Sequence, residues 1–183
     1  NSVQRKQYRT QIFGNVGLTF HLLPNLDLKT QLGIDSHNYT NREYGPRDVH
    51  DFGKGDQGNA YQSNSSTLYW QEETYLTYKN SFGNHRINAM AGLSWQERTY
   101  ESFNATAKTF ADDYYGYHNM AAGTQRPSVG SDHDRWAMNS YFLRIGYSYG
   151  DRYMATVTGR YDGSSKFGKN NKYAFFPSAG LAW

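Results

Sequence analysis

Two short acidic clusters are the residues in this sequence that could bind a metal ion. Asp112 and Asp113 are adjacent, and Asp132, His133 and Asp134 follow one another later in the chain. Carboxylates are typical ligands of calcium, and imidazole is a typical ligand of transition metals. Neither cluster has the spacing of an EF-hand loop or of an HExxH helix. Because acidic loop segments are usually just solvated, we predict no metal site and no cofactor.

The sequence offers no residue pattern typical of an enzyme. Ser, His and Asp all occur, but no nucleophile elbow is present. Glu72 and Glu73 are neighbours in a predicted strand, so they point to opposite faces and are disfavoured as a catalytic carboxylate pair. The absence of cysteine excludes a cysteine nucleophile and a thiolate zinc site. We therefore predict that the chain has no catalytic residues.

Aromatic side chains in one predicted loop, residues 97–139, form the candidate binding surface. Aromatic rings stack on sugar faces or grip peptide side chains at a low cost in conformational entropy. The same rings are common in protein interfaces, so they could instead pack on neighbouring loops or on a partner. The candidate contact residues are Tyr114, Tyr115, Tyr117 and Trp136.

The composition indicates which kind of element must position these residues. The 183 residues include 17 Tyr, 10 Phe, 4 Trp and 18 Gly but only 4 Pro. This composition is typical of a β-rich, turn-rich chain and argues against disorder. The net charge of +3 comes from scattered basic residues, so no nucleic-acid partner is predicted. No run of 18 apolar residues occurs, which excludes a transmembrane helix and leaves a membrane β-barrel open.

Alternation of apolar and polar residues predicts seven strands. Every second residue from Ile12 to Leu22 is apolar or Gly, and the pattern resumes after a turn at Pro24. The predicted strands are 12–22, 26–34, 67–79, 86–96, 140–149, 153–161 and a last one that starts at Tyr173.

The predicted connections alternate in length. Short turns near Pro24, Gly83 and Asp151 are interleaved with longer loops. The predicted loops are 39–66, 97–139 and 162–172. Outer-membrane barrels have short periplasmic turns and longer extracellular loops. The pattern favours an all-β, antiparallel, up-and-down transmembrane barrel segment, while a secreted carbohydrate-binding β-sandwich remains the alternative.

The two faces of the predicted strands distinguish these alternatives. A barrel segment exposes its apolar face to lipid, whereas a sandwich packs the same face inside. The predicted lipid-facing residues are Ile12, Val16, Leu18, Leu28, Leu32, Ile34, Leu93, Trp95, Ile145 and Val157. The predicted luminal residues are Asn15, Gln31, Asn88, Thr158 and Arg160.

A specific series of motifs lies between Ser140 and Trp183. A YFLRIGYSY strand is followed by a DRY turn, an RYDGSSKFG segment and an FPS segment. This order closely resembles the SusC/RagA family of TonB-linked (TonB-dependent) outer-membrane transporters of Bacteroidota. One departure is Tyr161, which stands where the family often carries a second basic residue. The motif residues are Arg160, Asp162, Gly163, Ser164, Ser165, Phe167, Gly168, Phe176, Pro177 and Ser178.

The resemblance implies a barrel of about 22 strands with a luminal plug, to which this chain would supply roughly seven strands. Residues 1–183 would then all belong to the barrel domain, with the signal peptide, the plug and the other strands elsewhere in the protein. The implied activity is import of a glycan, oligosaccharide or peptide across the Gram-negative cell outer membrane. The implied partners are a SusD-like surface lipoprotein lid, the TonB complex, which would act through the N-terminal part, and outer-membrane lipid.

The RYDGSSKFG segment has residue types that form turns. Short oxygen-bearing side chains such as Asp162, Ser164 and Ser165 accept hydrogen bonds from nearby backbone N–H groups in Asx and ST turns. Period-2 alternation also places Arg160 and Asp162 on the same face. We therefore predict a turn-forming role for this segment and a charge pair on its luminal side.

Overall fold

The computed structural model describes residues 2–49, 55–168 and 170–183, which form seven strands in one antiparallel sheet. The strands follow one another in chain order across the sheet. They are β1 (Gln4–Leu23), β2 (Leu26–Gly45), β3 (Asn59–Phe82), β4 (His85–Lys108), β5 (Ser128–Tyr149), β6 (Tyr153–Ser164) and β7 (Tyr173–Ala182). Two single-turn 3₁₀ helices, Gly116–His118 and Met120–Ala122, lie between β4 and β5. None of the helices in the described ranges is long and apolar enough to cross a membrane.

The strands are longer than the alternation predicts. The loops predicted at 39–66 and 97–139 are mostly strand, and the true connections are 46–58 and 109–127. β3 and β4 each have 24 residues, well beyond the 9–11 that cross a bilayer. Backbone pairing needs no apolar side chains, so a ladder can continue where both faces are polar and alternation disappears.

The apolar face of the sheet is exposed, as predicted for a barrel wall. Val157, for example, keeps 58% of its surface accessible, and Leu28 alone of the ten predicted lipid-facing residues is half-buried. The exposed members are Ile12, Val16, Leu18, Leu32, Ile34, Leu93, Trp95, Ile145 and Val157. A sealed sandwich would have buried this set, so the sandwich alternative is wrong.

The register of the last strands confirms that the two faces alternate. Ile145 on β5 lies opposite Val157 on β6, on the apolar face. Phe142 lies opposite Arg160, on the polar face. A polar interruption of the apolar face occurs at Glu72, whose carboxylate accepts hydrogen bonds from the hydroxyls of Thr30, at 3.4 Å, and Thr74.

The chain divides into two compact units. The loop unit comprises Asn1–Ile12, Asp35–Leu68 and Thr99–Asp134, and the turn unit comprises Phe13–Ile34, Tyr69–Arg98 and Arg135–Trp183. The loop unit contains the hydrophobic core of the described residues, with Met120 packed against it. The core residues are Tyr44, Ala60, Ala107, Phe110 and Tyr117.

The polar face of the turn unit is closely packed around Gly92. The rings of Tyr75 and Phe142 lie 6.4 Å apart over this residue. A Cβ atom at position 92 would lie 2.5 Å from the Cβ of Tyr75 and 2.7 Å from the carbonyl oxygen of Thr74. The strands can therefore pack in this way only because residue 92 has no side chain.

Candidate functional site

The predicted charge pair is present on β6. The Nε of Arg160 donates to both carboxylate oxygens of Asp162, at 2.7 and 2.9 Å, and the Nη2 donates to the Ser140 hydroxyl at 3.1 Å. Ser140 is 1% exposed. Alternation predicted that Arg160 and Asp162 share the polar face, and the structure adds Ser140 of the neighbouring strand to the same hydrogen-bonded group.

The turn prediction for the motif is confirmed at Ser164 and needs correction at its neighbours. The Ser164 hydroxyl accepts a hydrogen bond from the Lys166 N–H at 3.2 Å, which is an ST turn. Ser165 instead extends the ladder, since it exchanges hydrogen bonds of 2.9 Å with the backbone of Ala137. Asp162 lies within β6 and binds Arg160, so it forms no Asx turn.

Lys172 closes the connection between β6 and β7. Its ammonium group donates to the carbonyl oxygens of Ser165, at 3.1 Å, and Phe167, at 2.9 Å. The carbonyl of Gly168 accepts from the N–H of Asn171 at 3.1 Å. Lys172 and the backbone of residues 165–171 therefore hold the connection in this conformation.

Gly163 provides space for an aromatic stack. The ring of Tyr173 lies directly over Gly163, where a Cβ atom would collide with it. That ring stacks on Tyr161 with centroids 4.9 Å apart and planes 13° from parallel. The amide of Asn139 donates to the Tyr173 hydroxyl at 3.0 Å. A side chain larger than hydrogen at position 163 would displace this stack, which explains the glycine in the motif.

The FPS segment alternates between the two faces on β7. Phe176 lies opposite Arg160, and Ser178 lies opposite Thr158, so both are on the polar face. Pro177 lies opposite Gly159 on the apolar face. The segment therefore contributes to both sides of the wall.

A polar cluster around the buried Tyr44 side chain, which the sequence did not indicate, connects distant parts of the loop unit. The Tyr44 hydroxyl donates to Asp113 Oδ1 at 2.8 Å, and the Arg47 guanidinium lies 3.4 Å from the same carboxylate oxygen. Arg47 also donates to the Ala111 carbonyl at 2.6 Å. Asp113, first considered as a metal ligand, is thus engaged in hydrogen bonds within the protein. Among the described residues, no three His, Asp or Glu side chains are grouped to hold a metal ion.

The pKa values of this cluster are shifted in opposite directions. Burial raises the pKa of the Tyr44 hydroxyl well above its ordinary value, and the hydrogen bond to Asp113 raises it further. Burial also raises the pKa of Asp113, but the hydrogen bonds from Tyr44 and Arg47 outweigh it, so the pKa is lowered. At neutral pH the cluster therefore contains a protonated phenol bound to an ionised carboxylate.

The four candidate contact residues do not form one exposed surface. Tyr114 and Tyr115 are 85% and 54% exposed, and their rings meet edge to face with centroids 4.9 Å apart. Tyr117 is only 2% exposed and belongs to the core of the loop unit. Trp136 lies on β5, within the turn unit, with its ring 6.3 Å from that of Tyr69. Of the predicted surface, only the Tyr114–Tyr115 pair is available in a loop.

Comparison with known families accounts for this architecture. A model of the family described as "TonB dependent receptor-like, beta-barrel" matches residues 2–183. The chain belongs to this family. TonB-dependent receptor barrels of this family lie in the outer membrane. The resemblance to SusC/RagA transporters and the barrel fold class are both confirmed.

Individual relatives agree with the family assignment. The chain is 36% identical to TonB-dependent receptor P3 of Formosa agariphila, over 92% of this chain and 17% of that protein. It is 28% identical to TonB-dependent receptor SusC of Bacteroides thetaiotaomicron, over 93% of this chain and 16% of that protein. The chain thus spans about a sixth of these relatives, which are receptors and transporters rather than enzymes.

Solved structures share the fold. The RagAB peptide importer in its open-open state superposes with a TM-score of 0.88 at 22% identity, over 98% of this chain and 20% of that one. The siderophore receptor PiuA of Acinetobacter baumannii superposes with a TM-score of 0.54 at 11% identity, over 96% of this chain and 29% of that one. The seven strands are therefore a TonB-dependent barrel segment.

Proposed function

We propose that this chain forms part of a TonB-energised importer that carries a nutrient across the bacterial outer membrane. The observation that carries the proposal is the exposed apolar face of a single sheet whose other face is polar. That combination suits a wall between lipid and an aqueous lumen, because lipid-exposed strands need apolar side chains only on one side.

The rest of the importer follows from the family. The seven strands would be part of a barrel domain of about 22 strands, which encloses a plug. The signal peptide and the plug would lie in other parts of the protein. The TonB complex would act through the N-terminal part, and a SusD-like lipoprotein would cover the extracellular end.

The cargo we propose is a glycan, an oligosaccharide or a peptide. The RagAB relative is a peptide importer, which supports a peptide, and exposed tyrosine rings also suit sugar faces. Tyr114 and Tyr115 would contact either the cargo or the lipoprotein. The loop that carries this ring pair is anchored by Phe110 and Tyr117, which pack in the buried core of the loop unit.

The test uses the full-length transporter in its own organism. Uptake of labelled oligosaccharides and labelled peptides is compared between the wild type, a gene deletion and the Tyr114→Ala/Tyr115→Ala double variant. We expect the deletion to abolish uptake of one cargo class. We expect the double variant to reduce about tenfold either the uptake of the cargo or the amount of lipoprotein that copurifies with the transporter. A tenfold change corresponds to about 1.4 kcal/mol of binding free energy.

Phe103→Ala is the matched control, because Phe103 is an exposed aromatic residue of the same unit that lies on β4 rather than in a loop. This variant should behave like the wild type. Unchanged uptake of both cargo classes in the deletion strain would contradict import. Full activity of the double variant would contradict only the contact role of the tyrosine pair.

A further inference from the structure

A groove of about 320 Å³ opens on the apolar face of the turn unit. Its lining includes Trp95 on β4, Ala137 and Asn139 on β5, Gly163 on β6, and Tyr173 on β7. These residues lie on the same face as Leu93, Ile145 and Val157. On each of β4, β5 and β6 the lining residue is an even number of positions from the apolar residue of that strand, and Tyr173 on β7 pairs with Gly163. The groove therefore faces away from the polar side of the sheet.

The groove lies where the apolar face ends. Two residues beyond Trp95 on β4, the carboxylate of Glu97 accepts two hydrogen bonds, of 2.9 and 3.0 Å, from the Arg135 guanidinium. Ser165 and Lys172, which also line the groove, are the two ends of the connection between β6 and β7. Trp and Tyr with a nearby ion pair are typical of the boundary between hydrocarbon and lipid headgroups.

The lining combines an apolar channel with a fixed cation. The indole of Trp95 and the ring of Tyr173, which lies over Gly163, line the groove, and the small side chain of Ala137 leaves space between them. The Lys172 ammonium donates to two neutral carbonyl groups, which hold it in place, and none of the ion pairs found among the described residues involves Lys172. An ammonium group has three donors, so one remains for a ligand. None of the residues that line the groove is acidic.

We propose that this groove binds lipid A of the outer leaflet, with an acyl chain on Ala137 and a phosphate group at Lys172. An amphipathic anion matches the lining in both charge and polarity, and basic pockets beside apolar surface bind lipid phosphates in other membrane proteins. The longer connections of an outer-membrane barrel are extracellular, and the groove lies at that end of the strands. The proposal rests on the outer-membrane location stated under the proposed function.

The experiment measures lipid bound to the full-length transporter purified from outer membranes in mild detergent. Native mass spectrometry and extraction of the bound lipid count lipid A and phospholipid per protein. Two variants change the groove in independent ways, because Lys172→Gln removes the charge and Ala137→Trp fills the channel. Leu93→Ala is the control, since Leu93 is exposed on the same face but does not line the groove.

We expect lipid A to be bound to the wild type and to Leu93→Ala. Both groove variants should bind at least about tenfold less lipid A. Each groove variant should still migrate as a folded barrel in unheated gel samples. Added lipid A should restore binding to delipidated wild type, whereas lipid A stripped of phosphate should not. Phospholipid alone on the wild type, or equal binding of dephosphorylated lipid A, would overturn the proposal. Uptake assays on cells that carry the same variants separate this result from a failure of the import function.

Discussion

The Tyr44 hydroxyl and the Asp113 carboxylate form a pair whose stability depends on pH. Because the pKa of Tyr44 is raised on folding, the pair stabilises the loop unit fully below the ordinary phenol pKa of about 10 and loses this contribution as the pH rises above it. The pKa of Asp113 is lowered on folding, so its contribution is present above about pH 4 and is lost as the pH falls below that value.

Tyr44→Phe should therefore lower the free energy of local unfolding of the connection at 109–127 by about 1 kcal/mol at neutral pH, because one hydrogen bond to a carboxylate is lost. We expect the wild type to lose part of this stabilisation above about pH 10, and Tyr44→Phe should show no such additional loss. The measurement is the rate at which an alkaline-tolerant protease cleaves this connection in the full-length protein. Tyr114→Phe is the control, since the Tyr114 side chain is exposed. Identical alkaline profiles for wild type and Tyr44→Phe would show that the pair does not hold the connection.

At this scale the sequence identified Asp113 but not its partners. Tyr44 precedes Asp113 by 69 positions, and no local pattern links two such distant residues. Tyr117 illustrates the opposite error, because a tyrosine next to exposed tyrosines was assigned to the surface but is buried in the core. Arg160 and Asp162 were paired correctly because positions two apart on a strand share a face.

The strands of the turn unit depend on the absence of a side chain at Gly92. Gly92→Ala should destabilise the barrel by about 1–3 kcal/mol, because the new methyl group would overlap the Tyr75 side chain and the β3 backbone. Urea titration of the folded, heat-modifiable form of the full-length protein measures this change.

Gly14→Ala provides the matched control for that titration. Gly14 also lies within a strand, β1, but no atom lies within 4 Å of a Cβ built there. The control should retain the wild-type midpoint within about 0.5 kcal/mol. Equal midpoints for both variants would mean that the packing around residue 92 can relax at little cost.

Elements were predictable only where one face is apolar. Alternation predicted the sequence positions of all seven strands, and each short turn near Pro24, Gly83 and Asp151 is present. It missed the polar ends of β1 to β5, because hydrogen bonding between strands leaves no periodic signal when both faces are polar. Trp136 was therefore assigned to a loop although it lies on β5.

At the scale of the whole molecule, we expect the apolar face of the sheet to contact lipid and the polar face to contact water. Val157→Arg should lower the stability of the full-length barrel by about 2–4 kcal/mol if residue 157 lies near the bilayer midplane. Thr156→Arg, one position away on the opposite face, should be tolerated, since Thr156 lies opposite Gly146 and Gly180, which leave room. The yield of folded protein in outer membranes measures both effects. A greater loss for Thr156→Arg would reverse the assignment of the two faces.

The sequence by itself determined the all-β class, the strand positions, the two faces and the family, because period-2 alternation and a compact C-terminal motif are local properties of the chain. Only the tertiary structure decided which aromatic residues are exposed, how far the strands extend and which distant residues meet. Tyr44 and Asp113, or Trp95 and Lys172, become neighbours only through the order of the strands in the sheet. Pairing of distant strands and packing of connections depend on the whole chain, and no short stretch of sequence encodes them.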